Sequence, residues 1–218
     1  MPAAIFDQDG ILIDLFELHL KGFQEVLGGG FGLEFRREDL ARYYGQTGEE
    51  IFSRFFARHE IRADVGPLAV KRRQWVVDNV SHCRALPGVR SLLEGLREAG
   101  VPMAVGTSNT LEPAEAILKS CGLEGFFACL CCRDDKLKGK PAPDVFLSAA
   151  KRLDVEPSEC VVVEDSVFGI EAAKAAGMKS IAVATGTHTR RELEAKKPDL
   201  LVDSLAEVDA ASVLDLFK

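Results

Sequence analysis

Two carboxylates one residue apart, Asp7 and Asp9, follow the apolar residues Ile5 and Phe6 and are followed at once by Gly10. In an extended chain alternate side chains share a face, so both carboxyls can look into one site while the glycine lets the backbone turn away behind them. Like charges this close are unfavourable unless a cation sits between them or one carboxyl keeps its proton. Either solution is raw material for catalysis.

Further polar residues stand where later apolar runs end. Thr107-Ser108-Asn109 follows Met103 to Gly106, Glu164-Asp165 follows Cys160 to Val163, and Lys140 lies in the polar stretch from Lys136 to Pro143. Two acid pairs, a hydroxyl and amide cluster and one lysine suit Mg²⁺, a hard ion that takes oxygen ligands, together with a phosphoryl group.

The elements that must position these residues are legible from about residue 84. Pro87-Gly88 opens a helix with Val89, Leu92, Leu93 and Leu96 at helical spacing, closed by Gly100 and Pro102. Met103 to Gly106 reads as a buried strand. A helix carrying Ala114, Ile117, Leu118 and Cys121 follows and ends at Gly122, then a strand from Phe126 to Cys131 and a helix marked by Phe146, Ala149, Ala150 and Leu153. Cys160 to Val163, Ser180 to Ala184 and Leu200 to Val202 are apolar without alternation, as strands covered on both faces are. Between the first two lies a helix with Val167, Ile170, Ala173 and Ala176 inward, capped by Ser166 and stopped by Gly177. This alternation predicts an α/β fold with a doubly wound, Rossmann-like parallel sheet. Ligands bind beyond the carboxyl ends of the strands in such sheets, which is where the candidate residues fall.

Residues 15–83 break the rhythm and read as helices only. Leu15, Phe16, His19, Phe23, Val26 and Leu27 mark one helix, a turn is expected at Gly28-Gly29-Gly30, and Ile51, Phe52, Phe55 and Phe56 mark a later helix. The predicted organisation is an α/β core of residues 1–14 and 84–218 with a small all-helical domain, residues 15–83, inserted after the first strand. A lid over the site is its functional reading, and an extra packing layer its structural one.

The net charge of −7 argues against a nucleic-acid partner, because phosphate-backbone binding leans on lysine and arginine clusters. No apolar run is long enough to span a bilayer and the first residues lack a signal-peptide pattern, so a cytoplasmic protein without a membrane partner is expected. A monomer is the expected state. Cys129-Leu130-Cys131-Cys132 lacks paired Cys-x-x-Cys knuckles and a nearby histidine, so the thiols read as reduced, small hydrophobes.

Four stretches carry a resemblance: Phe6 to Asp14, the strand end at Thr107, Gly139-Lys140-Pro141-Ala142-Pro143-Asp144, and Val163-Glu164-Asp165-Ser166 through Ala173. In order and spacing they resemble the motifs of the haloacid dehalogenase superfamily, and the lysine and Glu-Asp-Ser segments are similar to its β-phosphoglucomutase-like subgroup with a helical cap. The resemblance implies that Asp7 is a nucleophile forming an aspartyl-phosphate and that Asp9 is the general acid and then base, which requires Asp9 to hold its proton while Asp7 is ionised. It implies Mg²⁺ bound by Asp7, the main-chain carbonyl of Asp9 and Asp165, with Glu164 as a further or supporting ligand. Thr107, the amides of Ser108 and Asn109, and Lys140 would hold the phosphoryl oxygens.

The same resemblance makes Tyr43-Tyr44-Gly45-Gln46-Thr47 the cap loop, with Gly45, Gln46 and Thr47 against substrate. Mutase-type relatives carry basic residues around that loop, whereas this chain has Glu49-Glu50, acid that would repel a second phosphate. His19 matches a cap histidine that helps control Asp9 in mutases, or it is a helix residue without a chemical role. Leu15 departs from the hydroxyl residue common at its place. Lys71-Arg72-Arg73 is expected to be a solvated helix face, with one cation over the site from the cap as the other reading, and His188, Arg190 and Arg191 read as a surface loop. The expected activity is a Mg²⁺-dependent phosphatase of a small phosphorylated metabolite. A phosphomutase is the alternative, a catalytically silent phosphometabolite-binding module is the alternative of another class, and a metal-free dehalogenase would leave Asp9 and the Glu164-Asp165 pair without purpose.

Overall fold

Short strands, the central ones buried along their whole length, set the architecture. The structure, a computed structural model, describes residues 2–44, 46–132 and 137–218. Strands β1 (Ala3–Phe6), β2 (Met103–Gly106), β3 (Cys129–Cys131), β4 (Cys160–Glu164), β5 (Lys179–Val183) and β6 (Leu200–Val202) form one sheet in the order β3-β2-β1-β4-β5-β6. Every pairing is parallel, and β1 and β4 are buried at every position.

The period of two divides the strand side chains between two helical layers. Ala4, Phe6, Val105, Val161 and Val163 face the apolar stripes of α5 (Val89–Glu98) and α6 (Leu111–Ser120). Ala3, Ile5, Ala104 and Val162 face α7 (Asp144–Leu153) and α8 (Val167–Ala175). Beyond them, α9 (Arg190–Ala195) packs Leu193 on Ile170 and Ala182, and α10 (Ala210–Asp215) adds Val213 to the first layer. The sheet is therefore doubly wound, as the sequence predicts.

Between β1 and α5 the chain forms α1 (Phe16–Phe31), α2 (Arg37–Tyr43), α3 (Gly48–Arg58) and α4 (Gly66–Asn79). These helices have a core of their own, in which Phe23 stacks on Phe35 and meets Phe52 edge-on, both at 4.9 Å between ring centroids, with Phe55 and Phe56 alongside. The two crossings between this insert and the sheet lie side by side. Ile13 bridges Ala85, and the Leu86 amide donates to Leu12 O at 3.0 Å. Helix α4 leans on α6.

Several boundaries differ from expectation. No turn forms at Gly28-Gly29-Gly30; α1 runs through them and ends at Gly32, which takes the left-handed conformation at φ 63 that a helix stop needs. The expected strand from Phe126 is shorter, because Glu124–Phe126 is a 3₁₀ turn and only Cys129–Cys131 reaches the one neighbour of an edge strand, β2. Arg190 and Arg191 open α9, whose cap Thr189 exchanges hydrogen bonds with Glu192. Among the described residues, no helix is long and apolar enough to cross a membrane.

Gly88 starts α5 with φ +83, and a Cβ on it would lie 2.2 Å from the Ala206 amide nitrogen. Gly100 has φ +72 but open space around it. Urea denaturation is expected to show a loss of about 3 kcal/mol for Gly88→Ala and only about 1 kcal/mol for Gly100→Ala, since the second pays conformational strain without a backbone collision.

Candidate active site

The parallel ladder delivers the candidate residues to one edge. The Asp7 amide donates to Val163 O at 3.0 Å and the Thr107 amide to Cys131 O at 3.0 Å, so each leaves its strand in a direction set by the sheet. Gly10, at φ +81, turns the chain back so that its amide meets Ile13 O at 2.8 Å.

Lys140 is the cation among the carboxylates. Its side chain is 4% exposed, and Nζ donates to Asp7 Oδ1 at 2.7 Å, Glu164 Oε1 at 2.6 Å and Gly106 O at 3.3 Å. Burial disfavours its charge, but Asp7 and Glu164 outweigh burial and raise its pKa. It is no surface lysine. Burial, then Glu164 and Asp9, push Asp7 up to about 7 in spite of Lys140.

Glu164 is fully engaged: Oε2 accepts from the Asp165 amide at 2.9 Å, the Ser166 amide at 2.8 Å and Ser166 Oγ at 2.9 Å. Ser166 also caps α8, its Oγ accepting from the Gly169 amide at 3.0 Å. A Cβ at Gly169 would sit 1.9 Å from Glu164 Cδ, so this glycine makes room for the carboxylate.

Asp7, Glu164 and Asp165 can each turn one oxygen into a group spanning no more than 4.8 Å. Asp165 Oδ2 is buried without a hydrogen-bond partner, between Gly10 and Gly186, where a Cβ would lie 2.1 Å and 1.9 Å from it. Burial, then Glu164 and Asp7, hold the Asp165 carboxyl well above the ordinary range. A buried carboxylate oxygen without a donor calls for a proton or a cation. Three buried carboxylates and no softer donor fit a hard divalent ion.

The Asp9 side chain stands apart from that cluster. Oδ2 meets His19 Nε2 at 2.6 Å and Oδ1 accepts from Asn109 Nδ2 at 3.0 Å. Arg72 bonds to the other ring nitrogen, Nδ1. Because a guanidinium only donates, Nδ1 accepts, the ring proton of neutral His19 is on Nε2, and Nε2–H donates to Asp9. Burial opposes the charge on Asp9, but His19, then Arg72 and Asn109, lower its pKa overall. Burial and Arg72 together keep His19 below its ordinary value. The proton order here, Asp7 raised and Asp9 lowered, is the reverse of what the acid role of Asp9 requires. The cause is physical: two cationic or donating groups from the insert surround Asp9, while Asp7 has only Lys140 against two neighbouring carboxylates.

A pocket between insert and sheet opens over these residues and is walled by Tyr44, Gln46, Thr47, Glu49, Arg73 and Thr110. The profile of the family described as haloacid dehalogenase-like hydrolase matches residues 4–183. The chain belongs to that family. Fructose-1-phosphate phosphatase YqaB of Escherichia coli (strain K12) is 37% identical over 185 residues, 82% of this chain and 94% of its own length. Protein CbbY of Cereibacter sphaeroides is 33% identical over 227 residues, 99% of this chain and 97% of its own. The crystal structure of CbbY from Rhodobacter sphaeroides in complex with phosphate superimposes with a TM-score of 0.88 at 31% identity, covering 97% of this chain and 99% of that one.

For this haloacid dehalogenase-like hydrolase, the residues expected from sequence converge unevenly. Asp7, Asp9, His19, Thr107, Ser108, Asn109, Lys140, Glu164 and Asp165 all line the pocket. Thr107 Oγ1 accepts from the Asn109 amide at 3.1 Å, which shapes the turn after β2. Gln46 lines the pocket with Oε1 buried and without a hydrogen-bond partner. Thr47 reaches the wall, but its hydroxyl donates to Glu50 Oε2 at 2.8 Å and accepts from the Glu50 amide at 3.2 Å, so its hydrogen bonds cap α3. Gly45 lies outside the described residues. Of the acid pair after the loop, Glu49 faces the pocket 3.9 Å from Arg73, while Glu50 is turned to the cap of α3.

Two residues beside the site differ from the sequence reading: Arg72, expected on a solvated face in preference to a cation over the site, and Gln8, which that reading does not single out. Arg72 is 7% exposed, not on a solvated face; its guanidinium also lies 4.8 Å over the Phe23 ring. Its signal was the spacing Ala69, Arg72, Val76, which puts it on the buried stripe of α4. Gln8 is fully buried, donating from Nε2 to Ala114 O at 2.9 Å and sharing the Asn109 Nδ2 donor with Asp9, at 3.0 Å to its own Oε1. Period two across the Asp7-Gln8-Asp9 run was its signal.

Long-range ¹H–¹⁵N spectra at neutral pH are expected to show His19 as the Nε2–H tautomer. Arg72→Met removes the donor to Nδ1, so the spectrum should move towards a tautomer mixture; an unchanged His19 pattern would contradict the assignment.

Proposed function

We propose that this phosphoric monoester hydrolase removes phosphate from a small phosphorylated carbohydrate or similar metabolite, with Mg²⁺ as its metal. The observation that carries the reading is the buried Asp7, Glu164 and Asp165 cluster with Lys140 bonded to Asp7. Further support comes from the relatives, one named a fructose-1-phosphate phosphatase and one solved with phosphate bound.

In this reading residues 1–14 and 84–218 are the catalytic core and 15–83 a cap that closes over the substrate. Asp7 and Asp165 hold Mg²⁺ together with the Asp9 carbonyl, and Glu164 keeps Asp165 and Lys140 in place. Bound there, the ion supplies positive charge that keeps Asp7 ionised and balances the phosphoryl oxygens. Asp7 attacks phosphorus with its free carboxylate oxygen and forms an aspartyl-phosphate. Asp9 gives a proton to the leaving oxygen, then takes one from the water that attacks the phosphoenzyme. Lys140, Thr107 and the amides of Ser108 and Asn109 hold the transferring group. His19 and Arg72 belong to the insert and hold Asp9 as an acceptor, so movement of the insert is what changes the proton state of Asp9. Gln46 and Glu49 face the organic part of the substrate, with Arg73 3.9 Å from Glu49 on the same wall.

The test is ³¹P NMR with a panel of sugar and other small phosphomonoesters, with Mg²⁺ and with chelator. Inorganic phosphate formed only with Mg²⁺ is expected. Phosphate moved to another carbon would replace the reading with a mutase, and an unchanged panel would remove it. Asp7→Asn is expected to lower kcat by about 10³-fold or more, and Asp9→Asn by about 10² to 10⁴-fold, each with the fold intact by circular dichroism. Gly169→Ala should force Glu164 away from Lys140 and raise the Mg²⁺ concentration needed for half-maximal rate by roughly tenfold or more, read from a metal titration.

A further inference from the structure

Gln8 stands between the two aspartates of the first acid motif with no exposed surface, and the proposed chemistry does not use it. A buried primary amide is costly unless its groups are bonded, so its partners are informative. Nε2 donates to Ala114 O in α6 at 2.9 Å, and Oε1 accepts from Asn109 Nδ2 at 3.0 Å. The same Nδ2 donates to Asp9 Oδ1, also at 3.0 Å. Gln8 itself does not line the pocket, whereas Asn109 and Asp9 do.

One group sets the direction of every bond in this chain. A backbone carbonyl only accepts, so Gln8 turns its NH₂ to Ala114 O and its oxygen to Asn109. Asn109 then faces two acceptors, Gln8 Oε1 and Asp9 Oδ1, and its NH₂ has one hydrogen for each. An amide turned over at either residue would set oxygen against oxygen. The main chain of Asn109 is tied down as well, its amide donating to Thr107 Oγ1 at 3.1 Å, so the donor has a fixed base.

We propose that Gln8 is a positioning residue that acts through Asn109, fixing the Asn109 amide as a donor to Asp9 and so keeping the Asp9 carboxyl in place while the insert moves. Asp9 is held from two sides. Oδ2 meets His19 of the insert, whereas Oδ1 meets a chain that runs only through the end of β1, the turn after β2 and α6. Movement of the insert releases the first hold and leaves the second, so the carboxyl stays where the leaving oxygen needs it. That role rests on the reading of Asp9 as the acid and base of a phosphatase with a moving cap; the bonded chain itself does not.

The chain is tested first in ¹H–¹⁵N spectra of the full-length protein, where the Asn109 side-chain NH₂ is assigned by its loss in Asn109→Ala. Both of its protons are expected to exchange slowly with water in the wild type. In Gln8→Met, of similar length but without an amide, that exchange should be roughly tenfold faster or more. Fast exchange in the wild type, or an unchanged rate in Gln8→Met, would overturn the chain. Turnover is then measured with the best phosphomonoester of the panel. Gln8→Met is expected to lower kcat by about tenfold or more with KM unchanged, as loss of a hold used only in the transition state does. Because Gln8 acts through Asn109, the double variant Gln8→Met/Asn109→Ala should fall no further than Asn109→Ala alone. Losses that multiply, a raised KM with kcat kept, or unchanged turnover would overturn the positioning role and leave Gln8 as an anchor for α6. If Gln8→Met does not fold, slow wild-type exchange with a lowered kcat in Asn109→Ala still supports the chain, and full kcat in Asn109→Ala overturns it. A wild-type protein that hydrolyses no phosphomonoester would instead overturn the proposed activity, while the exchange rates still decide the bonded chain.

Discussion

The structure depends on holding four carboxylates at one edge of a sheet with a single buried lysine among them. Asp7, Glu164 and Asp165 lie within a few ångströms of each other, Asp9 is two residues from Asp7, and of these carboxylates Lys140 bonds Asp7 and Glu164. Such a concentration of like charge in a low-dielectric setting is costly unless each group finds a cation, a donor or a proton. Glu164 finds Lys140, two amides and a hydroxyl; Asp165 keeps one oxygen without any donor. That imbalance is what makes the edge suited to a divalent cation.

The local backbone serves the same constraint. Gly10, Gly169 and Gly186 stand where a Cβ would enter the space of Asp165 or Glu164, so the carboxylates are held by close approach of main chain as well as by hydrogen bonds. Ser166 serves twice, donating to Glu164 and capping α8, which ties the acidic pair to the start of a helix whose dipole favours negative charge. A parallel ladder then sets β4 beside β1, and the two acid motifs meet although more than 150 residues separate them.

The insert supplies the other half of the electrostatics. Its aromatic core carries α1 and α4 as one packed unit, and from these helices His19 and Arg72 reach down to Asp9. Arg72 sits over Phe23 of that core, with burial lowering its pKa to about 10, still charged at neutral pH. The protonation of Asp9 thus answers to the position of helices outside the sheet, and the paired crossings at Ile13 and Ala85 are the joint between the two parts.

By itself the sequence determined the sheet, its two helical layers and the acidic edge, because each rests on short-range pattern. Short buried runs without alternation, punctuated by turn residues, read as strands covered on both faces, and polar residues directly after them then fall at the strand ends. Asp7, Asp9, Thr107, Glu164 and Asp165 were legible in that way, whereas Lys140, in a polar stretch well after its strand, gained meaning only in company with them. Tertiary structure decided what depends on contact between distant segments. The spacing of Ala69, Arg72 and Val76 marked a stripe, but only the packing of α4 on α1 turned Arg72 into the group that sets the tautomer of His19. Thr47 and Glu50 could have faced substrate until the start of α3 engaged both as a cap. The proton order of Asp7 and Asp9 follows neither residue type nor spacing; it is set by burial and by which charges the fold brings beside each carboxyl.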